Sequence, residues 1–311
     1  MDPAENNENF RAGAVALIGL PNVGKSTLMN RILGTKIAIT TSKPQTTRNR
    51  ILGIRTFGNG QICFVDTPGV HASKKRLNKA MVRQAVDALI DVDVVCHVLD
   101  AAAIVAIAAR GQDPWAEEEV VDQYLREVEV PIIGVLNKVD RVPQKDALLP
   151  VLAALGERDV YADLVPVSAL AGDNVDRLAD VLLAALPPGD ALFPEDMLTD
   201  RAEKFLAAEF VREAVMEQTR KEIPYSVAVE IERFFDRGDL VEISAVIHVE
   251  RSSQKGIIIG DGGSRIRAIG TSARQELETF FGAKVHLETF VRVESEWSEN
   301  PRALHRFGYD E

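Results

Sequence analysis

The chain has 311 residues, enough for two domains, and its 46% hydrophobic and 27% charged content is typical of a soluble globular protein. Its net charge of −11 argues against coating nucleic acid through bulk electrostatics, although a few arginines on one face could still form a local site. The acidic start is not a signal peptide, and the uncharged stretch Ala101–Ala109 is far too short to cross a bilayer. Cys63 and Cys96 lie in apolar runs, which favours buried, reduced thiols. We therefore expect a cytosolic protein.

Short apolar runs alternate with amphipathic segments up to about Leu186. The predicted strands are Ala14–Ile18, Ile51–Thr56, Gln61–Val65, Val94–Leu99, Pro131–Leu136 and Leu164–Val167. The predicted helices include Lys25–Leu33, Lys75–Ile90, Ala116–Val128 and Val175–Leu186. Strands that alternate with helices predict an α/β domain whose mainly parallel sheet is covered on both faces.

The pattern changes after Pro187-Pro188-Gly189, which stops the last helix and opens a linker. We therefore predict a first domain at 1–188, a linker at 189–198 and a smaller α+β domain at 199–311 with a C-terminal tail. Its predicted elements are the helix Thr199–Arg220, the strands Ser226–Phe234 and Leu240–His248, the helix Ser264–Phe281 and the strand Lys284–Val293.

The segment Gly19-Leu20-Pro21-Asn22-Val23-Gly24-Lys25-Ser26 fits the phosphate-binding pattern G-x-x-x-x-G-K-[ST] between a predicted strand and a predicted helix. Backbone N–H groups of such a loop converge on phosphates, helped by the positive end of the helix. Lys25 would reach the β and γ oxygens, and the Ser26 hydroxyl would bind Mg²⁺. The motif predicts a nucleoside triphosphate and leaves the base open.

A second motif, Asn137-Lys138-Val139-Asp140, predicts which base the nucleotide carries. The Asp140 carboxylate can accept hydrogen bonds from the ring N–H and the exocyclic amine of guanine, whereas adenine would leave it unpaired. Val167-Ser168-Ala169-Leu170 closes a predicted strand, where a backbone N–H could bind the guanine carbonyl. Together with the phosphate loop, these motifs predict GTP and GDP as ligands.

Two further segments complete the predicted site. Asp66-Thr67-Pro68-Gly69 follows a predicted strand, so Asp66 could hold Mg²⁺ through a water and the Gly69 N–H could sense the γ-phosphate. The loop Thr40–Arg48 has no hydrophobic pattern, and Thr47 is our candidate to complete Mg²⁺ coordination, ahead of Thr46.

We predict Mg²⁺ ligands at Ser26, Thr47 and Asp66. The predicted nucleotide-binding residues are Gly19, Asn22, Val23, Gly24, Lys25, Ser26, Thr27, Asp66, Gly69, Asn137, Lys138, Asp140, Ser168, Ala169 and Leu170. The predicted catalytic residues are Asn22, Lys25, Thr47 and Gly69.

These motifs, in this order, resemble those of the translation-factor class of P-loop GTPases. The detailed sequence resembles the bacterial Era GTPases from about Arg11 to Tyr309. The segments that carry the closer resemblance are the phosphate loop, Lys43-Pro44-Gln45-Thr46-Thr47-Arg48, Asp66-Thr67-Pro68-Gly69 and Gln254-Lys255-Gly256-Ile257-Ile258-Ile259-Gly260. The resemblance implies a ribosome-assembly GTPase with a type II KH domain that binds the 3′ end of small-subunit ribosomal RNA. It also implies contact with the 30S subunit and peripheral association with the inner membrane; we expect a monomer.

Gly260-Asp261-Gly262-Gly263 then corresponds to the G-x-x-G turn by which KH domains clamp about four nucleotides. The predicted RNA-binding residues are Lys255, Ile257, Ile258, Gly260, Gly262, Gly263, Arg265 and Arg267. Asp261 departs from the family, which usually carries a lysine in this loop, and a carboxylate facing phosphates is unfavourable. Trp297 in the tail could stack on a base or pack the tail onto the domain.

Hydrolysis is expected to be slow, because Val70 stands where Ras-like proteins place a water-orienting glutamine. His71 beside it is expected to be simply solvated. In related GTPases an asparagine at the place of Asn22 helps to hold K⁺, which would neutralise developing phosphate charge.

The apolar segment Ala101–Gln112 has no counterpart in the family, and we interpret it as a variable surface loop with a short buried helix. The principal alternative function is a membrane-associated signalling GTPase whose second domain binds protein. An RNA-modifying enzyme driven by GTP is less favoured, because the sequence shows no metal-ligand cluster and no second cofactor loop.

Overall fold

The computed structural model describes residues 10–71, 76–220 and 223–309. The described residues form two compact units. The first comprises 10–37, 49–71 and 81–200, and the second comprises 38–48, 76–80, 201–220 and 223–309. None of the helices in these described ranges is long and apolar enough to cross a membrane.

The first unit is built on a six-stranded sheet with the order β2-β3-β1-β4-β5-β6. Its strands are β1 (Arg11–Ile18), β2 (Ile51–Phe57), β3 (Gly60–Asp66), β4 (Val94–Asp100), β5 (Ile132–Asn137) and β6 (Asp163–Pro166). All neighbours pair in parallel except β2, which is antiparallel to β3. Because the central strands are covered on both faces, they are apolar along most of their length; for example, every residue of β3 is buried.

Among the described residues, six α-helices accompany this sheet. They are α1 (Lys25–Leu33), α2 (Arg76–Asp87), α3 (Ala101–Ala108), α4 (Glu119–Leu125), α5 (Leu148–Gly156) and α6 (Val175–Ala185). The first five residues of α2 fall in the second unit and the remainder in the first. Helix α3 is the short helix expected within Ala101–Gln112, but only Ala101 and Ile104 of it are buried, so the expected burial of this helix is wrong for most of its length. Helix α5 was not predicted.

The second unit has a three-stranded sheet and four helices in its described residues. In chain order they are α7 (Glu203–Gln218), β7 (Val227–Asp236), β8 (Leu240–Val249), α8 (Ser252–Ile259), α9 (Ser264–Phe281), β9 (Lys284–Val293) and α10 (Pro301–Arg306). Strand β8 lies in the middle, antiparallel to β7 and parallel to β9. Helices α7, α8 and α9 contribute buried apolar residues to one core with this sheet, including Phe210, Ile258 and Leu277.

The loop Ala38–Arg48 belongs to the second unit, although the chain on either side of it belongs to the first. Its contacts explain this assignment. Ile39 is part of the core of the second unit, and the Thr40 N–H donates to Glu213 Oε1 at 2.8 Å. Lys43 Nζ donates to the Met216 carbonyl and to the Thr219 carbonyl, the latter at 2.5 Å, so it occupies free acceptors at the C-terminal end of α7.

Candidate guanine-nucleotide site and candidate nucleic-acid interface

The phosphate loop connects β1 to α1 in the first unit. Gly24 stands at the N-cap of α1 with φ of +103°, and a Cβ there would lie 2.3 Å from Asn137 Nδ2. Only glycine therefore fits, because a side chain would be strained and would collide with the base-recognition motif. Lys25 Nζ donates to the carbonyls of Gly19 and Leu20 at 3.1 Å each, which folds its side chain along the loop.

Lys25 is 6% exposed, and its burial lowers the pKa of the ammonium group to about 8 against the opposing influence of Asp66 and Glu118. A phosphate placed on the loop would supply the negative charge that this buried cation needs. The buried ammonium group of Lys25 therefore favours the binding of an anionic ligand at this loop.

Two of the three predicted Mg²⁺ ligands lie side by side in the first unit. Ser26 Oγ donates to Asp66 Oδ2 at 2.5 Å, and Asp66 is fully buried at the carboxyl end of β3. A hydroxyl and a carboxylate are the hard oxygen donors that Mg²⁺ prefers, so this pair fits the ion. Thr47 lies in the second unit, where it is 8% exposed.

The segment after β3 packs closely on the phosphate loop. A Cβ on Gly69 would lie 2.6 Å from Pro21 Cα, and the Val70 N–H donates to the Gly19 carbonyl at 3.1 Å. Val70 is fully buried in an apolar cluster, so it is a core residue. His71 differs from the expectation of a merely solvated side chain, because it is partly buried and its Nδ1 lies 2.8 Å from the Gly69 carbonyl oxygen.

The base-recognition motif is tied to both neighbouring loops by Asn137. Its Nδ2 donates to the Val23 carbonyl at 2.8 Å, and its Oδ1 accepts from the Ala169 N–H at 2.9 Å. Ser168 Oγ donates to Asp140 Oδ1 at 2.6 Å and so fixes the orientation of an exposed carboxylate. The three predicted motifs are thereby brought together at one edge of the sheet.

Two residues of this site were missed in the sequence analysis. Asp100, at the carboxyl end of β4, accepts from Lys138 Nζ at 2.6 Å, and the same ammonium group donates to the Asn22 carbonyl at 2.5 Å. Arg31, in the last turn of α1, contacts the backbone of Ala169 and Leu170. Asp100 could have been found from its place at the end of a parallel strand, whereas nothing in the local pattern marks Arg31.

The G-x-x-G turn lies between α8 and α9 in the second unit. Gly260, Gly262 and Gly263 have φ of +68°, +58° and +77°. A Cβ on either Gly262 or Gly263 would have nothing within 4 Å, so this backbone is open to a ligand. Asp261 and Lys255 are exposed on the same stretch.

The flanking side chains divide into exposed and internal ones. Ile257 is 41% exposed, but Ile258 is fully buried in the core, so the prediction that Ile258 contacts RNA is wrong for its side chain in this structure. The reason is helical geometry, since consecutive residues of α8 point in different directions. Arg267 is exposed, whereas Arg265 is partly buried and donates to the Ile257 carbonyl.

Trp297 is also internal. It is fully buried, and its Nε1 donates to the Ser226 carbonyl at 3.1 Å. Its ring lies 5.3 Å from Phe307 and 5.9 Å from Tyr309, centroid to centroid. In this structure Trp297 packs the tail onto the domain, which is the second of its two predicted roles; its buried ring is not available to stack on a base.

Comparison with known proteins agrees with both parts of the fold. A family described as 50S ribosome-binding GTPase matches residues 14–138, and the KH domain family matches residues 222–298. The chain therefore contains a P-loop GTPase domain followed by a KH domain, and the predicted fold class is confirmed.

The family follows from the full-length relatives. GTPase Era of Geotalea uraniireducens is 48% identical over 304 residues, covering 97% of this chain and 99% of the relative. GTPase Era of Xylella fastidiosa is 48% identical, covering 97% and 98%. This chain belongs to the Era family of GTPases, as the resemblance in the sequence indicated.

Two solved structures are similar over the whole length. A crystal structure of Era in complex with MgGDPNP and nucleotides 1506–1542 of 16S ribosomal RNA has a TM-score of 0.90 and 39% identity. The similarity covers 97% of this chain and 100% of the Era chain in that complex. A crystal structure of a single-substitution variant of Aquifex aeolicus Era bound to GDP·AlF4⁻ has a TM-score of 0.89, the same identity and the same coverage.

Proposed function

We propose that this GTPase binds the 3′ end of small-subunit ribosomal RNA through its KH domain and acts in assembly of the 30S subunit. The observation that carries the proposal is the full-length similarity, at a TM-score of 0.90, to Era in complex with MgGDPNP and 16S ribosomal RNA. The exposed G-x-x-G turn of the second unit supports it.

In the nucleotide site, Lys25 and the backbone N–H groups of the phosphate loop bind the β- and γ-phosphates. Ser26 and Asp66 would hold Mg²⁺, and Thr47 is the proposed third ligand. The ion, when bound, neutralises charge on the transferred phosphoryl group. Asp140 reads the guanine base, oriented by Ser168.

Hydrolysis without partners is slow in this proposal, because the buried aliphatic side chain of Val70 cannot orient water. Catalysis rests on Lys25 and the Gly69 N–H, and Asn22 would help to hold a K⁺ ion, which would neutralise negative charge that develops on the phosphates.

In the second unit, the backbone of Gly260 to Gly263 lies against the phosphates of about four nucleotides. Lys255 and Arg267 supply exposed positive charge, and Ile257 supplies an exposed apolar surface for splayed bases. Asp261 places an exposed carboxylate in this turn, and its repulsion of phosphates lowers the affinity for RNA.

A gel-shift experiment tests the proposal. The full chain with Mg²⁺ and a non-hydrolysable GTP analogue should bind a single-stranded RNA of the 16S 3′ end, and the affinity should fall as salt is raised. An RNA of the same length and composition in scrambled order is the control. Equal binding of both RNAs would contradict the ribosomal assignment.

Absence of RNA binding would favour the alternative, a signalling GTPase whose second domain binds protein. We propose that the protein works as a monomer in the cytoplasm, where ribosomes are assembled. Association with the membrane stays a prediction.

A further inference from the structure

Arg31 joins α1, the helix that follows the phosphate loop, to residues 168–172, which are predicted to close the base site and are called the base loop below. Its Nε donates to the Ala169 carbonyl at 3.0 Å, and its Nη2 donates to the Leu170 carbonyl. Arg31 lies in the last turn of α1, whose first residues are Lys25 and Ser26. One short helix thus carries phosphate-binding groups at its start and a clamp on the base loop at its end.

Among the described contacts, the base loop is anchored at its start by Ser168, whose Oγ donates to Asp140 Oδ1 at 2.6 Å. Its turn is closed internally by the Gly172 N–H, which donates to the Ser168 carbonyl at 2.7 Å. Outside the turn, the Ala169 N–H is fixed by Asn137 Oδ1, and the Leu170 side chain is 64% exposed and so gives little apolar anchoring.

The guanidinium group closes the opposite side of this loop. Its Cζ lies 3.8 Å from the position that a Cβ on Gly172 would take, so it lies along the turn and engages two successive carbonyls. A planar fork of donors suits two adjacent acceptors, and a lysine ammonium group cannot reproduce this geometry.

We propose that Arg31 is a positioning residue for guanine recognition. By holding the Ala169 and Leu170 carbonyls, it fixes the peptide plane between these residues, so that the Leu170 N–H, which lies opposite the Ala169 carbonyl, is directed toward the 6-carbonyl of the base. Arg31 should therefore affect the binding of any purine nucleotide with an oxygen at position 6. Its effect should not depend on the 2-amino group that Asp140 recognises. The inference rests on the assignment of Asp140 and the Ser168 loop to the base.

The test compares Arg31→Ala with the wild-type protein by competition against a fluorescent GDP analogue in Mg²⁺. The competitors are GDP, IDP, which lacks the 2-amino group, and inorganic tripolyphosphate, which lacks the base. Arg31→Ala should weaken GDP and IDP by the same factor, about tenfold for two lost charge-assisted hydrogen bonds, and leave tripolyphosphate unchanged. Arg31→Lys should recover only part of the loss.

Arg177→Ala, which removes an exposed arginine from α6 of the same unit, is the matched control and should change none of the three affinities. An equal loss for tripolyphosphate would overturn the proposal, because Arg31 would then act on the phosphate site or on the stability of α1. Unchanged GDP affinity would overturn it as well. A separate competition of ADP with GDP for the wild-type protein tests the underlying guanine assignment. If ADP binds as tightly as GDP, that assignment fails independently of Arg31.

Discussion

Ser168 Oγ donates a 2.6 Å hydrogen bond to Asp140 Oδ1, which joins the two motifs predicted to surround the base. An exposed aspartate would ordinarily sample several rotamers, so this bond fixes the carboxylate before any nucleotide arrives. The same serine closes its own turn, because its hydroxyl also accepts from the Ala171 N–H at 3.0 Å. If Asp140 recognises the base as proposed, discrimination would depend on an acceptor that is already in place before the nucleotide binds.

Asp140→Asn should shift preference from guanine to xanthine nucleotides. The amide can donate to the 2-carbonyl of xanthine, whereas the carboxylate accepts from the 2-amine of guanine. Competition of GDP and XDP for the protein measures the preference. Asp146→Asn, a nearby exposed change, is the control and should keep the preference for GDP. Retention of that preference in Asp140→Asn would remove Asp140 from the base site.

Turnover of GTP should be faster in K⁺ than in Na⁺, and Asn22→Ala should abolish the difference. The reason is that buried Val70 offers no group to orient water, so a bound cation must supply part of the charge stabilisation. Single-turnover hydrolysis in the two chloride salts, at equal ionic strength, measures the effect. Asn59→Ala, in an exposed turn, should keep the K⁺ preference. Equal rates in the two salts for the wild-type protein would exclude such a cation site.

Periodic elements and motif-bearing loops could be predicted from the sequence with good accuracy. The bounds of α1, α9 and β9 agree with prediction at both ends, because caps and glycines mark them locally; Gly34 and Gly282 end the two helices in the left-handed conformation. Helix α5 was missed because its apolar sequence, with leucines and alanines on several faces, has no clear helical period.

The assignment of Ala38–Arg48 to the second unit could not be predicted. Arg48 is fixed by Val227 and Tyr309, which lie 179 and 261 residues away along the chain. No local pattern reports such contacts, and after Ile39 the sequence of the loop is polar. The buried position of Trp297 is equally non-local, because its hydrogen-bond acceptor is the carbonyl of Ser226, 71 residues earlier.

Both cysteine thiols should be unreactive in the native protein. Burial raises the pKa of Cys63 to about 11, with a contribution from Asp93, and that of Cys96 to about 12. At pH 8 only about one thiol in a thousand or fewer would then be the reactive thiolate. Titration with an aromatic disulfide reagent should release no thiol equivalents from the folded protein and two in guanidinium chloride. Rapid stoichiometric reaction in the native state would contradict the burial.

Arg48→Ala should destabilise the second unit by roughly 3 kcal/mol, because it leaves buried acceptors without donors. Arg48 is 2% exposed; its Nη1 donates to the Val227 carbonyl at 2.6 Å and its Nη2 to the Pro224 carbonyl at 3.1 Å. Its guanidinium carbon also lies 6.0 Å from the centre of the Trp297 ring.

Trp297 fluorescence in a Trp115→Phe background would follow unfolding of the second unit alone in denaturant. Arg233→Ala removes an exposed arginine from β7 and should shift the midpoint little. An Arg48→Ala midpoint equal to that of Arg233→Ala would mean that the loop Ala38–Arg48 adds nothing to the stability of this unit.

Gly263→Asp should abolish RNA binding and leave nucleotide affinity nearly intact. The change places a side chain and a negative charge where a phosphate must lie, at a backbone φ of +77° that disfavours any side chain. Gly282→Asp is the matched control, since Gly282 has φ of +64°, has nothing within 4 Å of its Cβ position, and ends the helix that Gly263 begins. It imposes similar strain on the same unit at the other end of α9, so RNA binding should survive.

Asp261→Lys should have the opposite effect on the same turn. Replacing the exposed carboxylate with an ammonium group adds about one phosphate contact, so RNA affinity should rise and its dependence on salt should steepen by about one unit of slope. Filter binding of the 16S 3′-end RNA over a series of KCl concentrations measures both quantities. If Gly263→Asp and Asp261→Lys both leave RNA affinity unchanged, the G-x-x-G turn does not hold RNA, and the interpretation of the second domain as a protein-binding module takes precedence.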